Sequence, residues 1–122
     1  MRRGARLAAR NDVIITTADT VAGRETVEEI DIVAAECVFG MNMFRDLFAS
    51  IRDVFGGRSQ SYQRVFRDAR DTVKSELKEQ AEALGAHAVV ATRFTYNQLD
   101  GTSGGMVMVA AVGTAVRLAP RR

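Results

Sequence analysis

One stretch limits the fold more than any other: between Gln60 and Leu84 the apolar residues Tyr62, Val65, Phe66, Ala69, Val73, Leu77, Ala81 and Leu84 recur at steps of three and four, and Gly85 closes the run. That spacing puts one apolar stripe on a helix of about 37 Å at 1.5 Å per residue. A stripe of that length needs a broad apolar partner. The chain supplies β-prone segments on both sides of it: "VIITT" (13–17), the run Val27–Phe39, "AVVATRFTY" (88–96) and "MVMVAAVGTAVRL" (106–118). Their alternating and β-branched residues read as strands, and "NQLDGTSGG" between the last two suits a hairpin loop.

A further helix is expected between Gly40 and the Gly56-Gly57 pair. Asn42 can cap it, and Phe44, Leu47, Phe48, Ile51, Val54 and Phe55 fall within about 120° of its circumference. Gly56 and Gly57 supply the left-handed conformations that end a helix. The predicted order is ββααββ, and strands segregated from helices define an α+β fold: an antiparallel sheet with two helices packed on one face.

With 122 residues, 47% hydrophobic and 26% charged, the chain matches one domain with a single core. We place that domain at 13–118, with an arginine-rich, flexible extension at 1–12 and a basic tail at 119–122. No apolar run reaches the roughly 18 to 20 residues that span a bilayer. The first residues, "MRRGARLAAR", hold no continuous apolar segment of the kind a secretory leader needs, so the expected location is cytoplasmic. The net charge of +2 is unevenly spread: four arginines against Asp12 give the first twelve residues +3, Arg117, Arg121 and Arg122 give the end +3, and the body carries −4. Basic residues on tails, without interleaved readers on a folded face, argue against nucleic acid as a partner.

Candidate chemistry is sparse. Cys37 is the single cysteine and His87 the single histidine, which excludes an internal disulfide and the usual zinc ligand sets. Cys37 sits in an apolar strand run, where packing is its expected role. Met41 and Met43, and Met106 and Met108, are paired two apart, and thioethers suit a soft cation; Cys37, Met41 and Met43 are therefore the candidate metal ligands, for Cu(I) and not zinc. Gly56, Gly57, Arg58 and Ser59 could cradle an anion at the start of the long helix, as in an anion-binding enzyme or sensor, although no Walker A spacing follows. No paired acid and base emerges, so no catalytic residue is assigned and a non-enzymatic role is expected.

The segment "FRDLFASIRDVFGGRS" (44–59) carries Arg45, Asp46, Arg52 and Asp53. Seven residues are nearly two helical turns, so the arginines form one stripe and the aspartates another, with no opposite charge three or four positions away among the four. Their expected partners lie on another subunit, the arginine stripe of one copy facing the aspartate stripe of the next around a ring.

The segment "GMNMFRDLFASIRDVFGGRSQSY" (40–62), together with "ALGAHAVV" (83–90) and "VGTAV" (112–116), resembles the YbjQ-like family, which carries a heavy-metal-binding label. The match covers about residues 13–117 and rests on Gly40, Asn42, Phe44 to Asp46, Arg52, Asp53, Gly56 to Ser59 and Tyr62. The resemblance implies a compact α+β subunit assembled into a homopentameric ring in a bacterial cytoplasm, and it does not imply an enzyme; the expected role is to bind a metal or small ligand at subunit junctions. The chain departs from the family pattern at Arg93, Phe94, Thr95 and Tyr96, where the family commonly alternates acidic residues as in Asp-Ile-Asp-Tyr. Two hard-metal ligands are lost by that change. Methionines at 41 and 43 replace small or aliphatic residues.

Overall fold

The computed structural model describes residues 13–40, 58–99 and 106–120. Its elements in chain order are β1 (Ile14–Ile15), β2 (Thr26–Gly40), α1 (Arg58–Ala83), β3 (Ala88–Leu99) and β4 (Met106–Leu118). The long helix and the last strand stand where the sequence pattern puts them. The helix expected between Gly40 and Gly56 lies outside the described residues, which contain one helix, so the described order is ββαββ. The fold is α+β.

The strands form one four-stranded sheet in the order β1-β3-β4-β2. It is mixed, not antiparallel as expected: β1 runs parallel to β3, with Ile14 opposite Ala88 and Ile15 opposite Val89. A parallel pair needs a long crossover, and everything from β2 through α1 intervenes here. The six residues between β3 and β4 are too few for a crossover, so that pair is antiparallel. At the other flank the Ala119 N–H donates to the Glu25 carbonyl at 2.8 Å and Arg117 forms an ion pair with Glu28, which sets the end of β4 beside the start of β2.

The chain divides into two compact units, one of Met1–Ala35, Lys74–Phe94 and Ala111–Arg122, the other of Glu36–Val73 and Thr95–Ala110. In the first unit, Leu77 and Ala81 of α1 are fully buried, and Ala88, Val90, Val116 and Leu118 form a core against which Ile14 and Val21 pack. The helix ends as the sequence requires. Gly85 adopts φ +75°, its N–H donates to the Glu82 carbonyl at 3.0 Å, and the Ala86 N–H donates to the Ala81 carbonyl at 2.9 Å. This pairing satisfies carbonyls that the last turn would orphan. Leu84, expected to complete the apolar stripe, is instead exposed, because the chain has already left the helix there.

Two further contacts shape this unit. Ala91 has φ 51° inside β3; its N–H donates to the Ala18 carbonyl and the next N–H, of Thr92, to the Thr16 carbonyl. A left-handed alanine kinks the strand there, and the buried Thr92 hydroxyl donates to the Val89 carbonyl across the kink at 3.2 Å. Gly113 of β4 lies against that kink: a Cβ on it would stand 2.5 Å from Val89 Cγ1 and 2.9 Å from Thr92 Oγ1. Only glycine fits such an approach.

The second contact concerns β2, an edge strand fifteen residues long. An edge of that length presents unpaired backbone groups to any other strand. Here Gln80 of α1 accepts from the Ala34 N–H at 3.3 Å and donates to the Ala34 carbonyl at 2.7 Å, and the Asp31 carboxylate accepts from the Ile32 N–H at 2.8 Å. The glutamine amide thus does what a neighbouring strand would do.

In the second unit, Phe39 of β2, Phe66 of α1 and Tyr96 of β3 form a run of edge-to-face rings, with centroids 6.1 Å apart for the first pair and 5.7 Å for the second. Each such pair adds about 0.5–1.5 kcal/mol beyond its buried area. Ala69 and Val73 are buried beside them on the same helix face.

A candidate ligand site on the long helix

Of the sequence-predicted site residues, the described structure includes Cys37, Arg58 and Ser59. Cys37 sits on β2 at a half-buried position. Met41 and Met43 lie outside the described residues, as do Gly56 and Gly57 and the assembly residues Arg45, Asp46, Arg52 and Asp53. Arg58 and Ser59 open the first turn of α1. Met106 and Met108 share one side of β4, as their spacing requires, with Met106 exposed and Met108 half-buried. Among the described residues no group of three or more His, Cys, Asp or Glu could hold a metal ion.

His87 has a structural task. The Leu118 N–H donates to its Nδ1 at 2.9 Å, its own N–H donates to the Val116 carbonyl, and its carbonyl accepts from the Ile14 N–H. It ties β1 and β4 to the start of β3. An Nδ1 that accepts a backbone N–H is not offered to a metal.

What the second unit does build is a hollow of about 610 Å³, open to solvent and lined by Gln63, Phe66, Arg67, Arg70 and Tyr96. Four of the five come from α1 at positions i, i+3, i+4 and i+7, one side of a helix, and the fifth from β3. Phe66 is half-buried, held by the ring contacts that anchor Tyr96 beside it. An Arg70 Nη1–H donates to the Tyr96 hydroxyl at 3.3 Å, linking the helix and strand sides of the hollow. Among the described residues neither Arg67 nor Arg70 is in a salt bridge. Two cationic forks, an amide and a phenol thus surround an aromatic wall. Its volume lies in the range of small-molecule sites, but its described lining is mostly polar and cationic, on a surface open to solvent.

Sequence reasoning missed this hollow. Its signal was partly visible, since Gln63, Arg67 and Arg70 flank the apolar stripe on one side of the helix. Tyr96 could be joined to them only by the packing of β3 on α1.

The described residues form an α+β fold that carries this hollow on its long helix. The chain belongs to the family described as "Putative heavy-metal-binding", whose model matches residues 13–119. It is similar to a UPF0145 protein of Pseudomonas fluorescens strain Pf-5, 49% identical over 106 residues that cover 87% of this chain and 99% of the relative. A UPF0145 protein from Pseudomonas fluorescens strain Pf0-1 is 48% identical over the same length. Among solved structures, a protein of unknown function from Pediococcus pentosaceus, assigned to the DUF74 family, superposes with a TM-score of 0.63 at 18% identity, over 88% of this chain and 98% of that one. That likeness supports the α+β fold. No described helix is long and apolar enough to cross a membrane.

Proposed function

We propose that this chain is a non-enzymatic subunit of a homo-oligomer, a ring of five, that binds a small ligand in a bacterial cytoplasm. The observation that carries the reading is a set of apolar strand residues that is exposed among the described residues. In β4 the residues alternate, with Val107, Val109 and Ala111 buried while the other side shows Met106, Met108, Ala110 and Val112. A sheet side that faces water ordinarily alternates to polar residues. In the second unit Met106 and Val38 are 44% and 49% exposed, and in the first Val112 and Ile32 are 44% and 70% exposed. Where such groups join into a contiguous patch, they mark a surface that another protein covers. A second copy of the chain is the occupant we assign, and the count of five rests on the family resemblance of residues 13–117.

The charge stripes of Arg45, Asp46, Arg52 and Asp53 enter the same proposal as the polar part of the junction. A charge pair desolvated at an interface loses about 2–5 kcal/mol when one member is removed. Light scattering at matched concentration separates the two contributions. Met106→Lys and Val112→Lys are expected to lower the mass, and so are Asp53→Arg and Arg52→Asp. Lys74→Glu, at an exposed helix position, is the control expected to keep it. If the lysine variants keep the parent mass and melting point, the apolar sides of the strands are not the junction. If the charge reversals keep it, the stripes are a solvated face.

A further inference from the structure

We infer that the hollow on α1 binds an aromatic oxyanion, a planar ring that carries a carboxylate or phosphate, with Arg67 and Arg70 holding the anionic group and Phe66 and Tyr96 receiving the ring. This goes beyond the assembly reading and does not depend on it.

The hollow makes two distinct demands on a ligand. Its polar side is cationic. Arg67 and Arg70 stand three residues apart on one helix face, and Gln63 adds an amide one turn before Arg67. Residues at that spacing are neighbours, with Cβ atoms about 5–6 Å apart, close enough for both guanidinium groups to reach one oxyanion. Guanidinium is the group suited to this, because its planar fork matches carboxylate and phosphate oxygens and stays charged at any physiological pH. Arg70 commits one of its donors to Tyr96 over a long 3.3 Å bond, which aims the side chain and leaves the rest of the fork for a ligand.

The other side is aromatic. Phe66 and Tyr96 meet edge to face at 70° and both line the hollow, Phe66 half-buried and Tyr96 the more exposed ring. A planar ligand can lie on one and abut the other, the arrangement aromatic pairs prefer. Tyr96 is 46% exposed, an unusual position for a ring that has only a structural role. A bare inorganic anion would use the arginines and leave these rings unengaged; an uncharged aromatic would leave the arginines without a counterion. A ligand with both parts satisfies the site. The volume of about 610 Å³ lies within the 300–1,000 Å³ range of sites for such molecules.

The test is isothermal titration of the full-length protein with two probes that share this chemistry, adenosine 5′-monophosphate and indole-3-acetate, against adenosine, indole and inorganic phosphate, each of which lacks one part. At least one probe is expected to bind with a Kd below about 1 mM in low salt. Its affinity should exceed that of either of its parts at least tenfold, fall at least tenfold in Arg67→Gln with Arg70→Gln, and fall in Tyr96→Ala. Arg93→Gln, outside the hollow, should bind as the parent does. The arginines are exposed, and an unchanged circular-dichroism melt verifies the fold of the double variant. Two outcomes overturn the inference: neither probe binds, or binding persists in the folded double arginine variant. Equal binding by inorganic phosphate would reduce the site to an anion patch and overturn the aromatic part.

Discussion

Two residues of the same kind occupy opposite conformational roles at the β3 kink. Ala91 holds a left-handed φ that costs an alanine roughly 1–2 kcal/mol relative to glycine, while Gly113, with no such torsion, is where a Cβ cannot fit. Exchanging glycine and alanine at the two sites should therefore act unequally. Gly113→Ala is expected to cost about 1–3 kcal/mol, since the stiff Val89 side chain and the buried Thr92 would both have to move. Ala91→Gly is expected within about 1 kcal/mol of the parent, because relief of the torsion offsets the added freedom of the unfolded chain. Urea denaturation of both variants checks this; a Gly113→Ala protein with the parent midpoint would show that the kink yields. At this scale the sequence was partly legible. Gly85 announced a helix end by its place after a periodic run, and the structure gives it the torsion that motif needs. Gly113 sits in a strand pattern, and nothing local says which backbone comes close to it. Ala91 carried no sign at all, since its torsion is imposed by the carbonyls of Thr16 and Ala18.

The elements that could be read are those whose periodicity is carried within one segment. The helix stripe and the alternation of β4 both appear where they are expected, at Arg58–Ala83 and Met106–Leu118. The parallel pairing of β1 with β3 could not be read, because a two-residue strand has no period and its partners lie far along the chain. The edge protection of β2 was equally hidden: Gln80 reads as one more polar residue on a helix until its amide is seen against Ala34. Gln80→Leu is expected to lower stability by only about 1 kcal/mol, since water can replace the amide at an exposed backbone. The larger effect should be on association, for the variant reopens the edge to another strand. Gln80→Glu keeps an acceptor for the Ala34 N–H and loses the donor to its carbonyl, so it should fall between the two. Light scattering on heating measures the series, and aggregation of Gln80→Leu no faster than the parent would remove the protective role.

For the whole molecule, the exposed apolar residues of β2 and β4 are the observation behind the proposal that this protein acts by binding and by assembling. The candidate metal residues Cys37, Met41 and Met43 were chosen on residue type; Cys37 is a half-buried strand residue, and the two methionines lie outside the described residues. The hollow on α1 was invisible to that approach because it is made by packing rather than by motif. Assembly is the central claim, and native mass spectrometry of the unmodified protein tests it most directly. We expect one dominant species at five times the 13.3 kDa chain mass, persisting on dilution through the micromolar range; a spectrum of monomer alone at those concentrations would contradict the account.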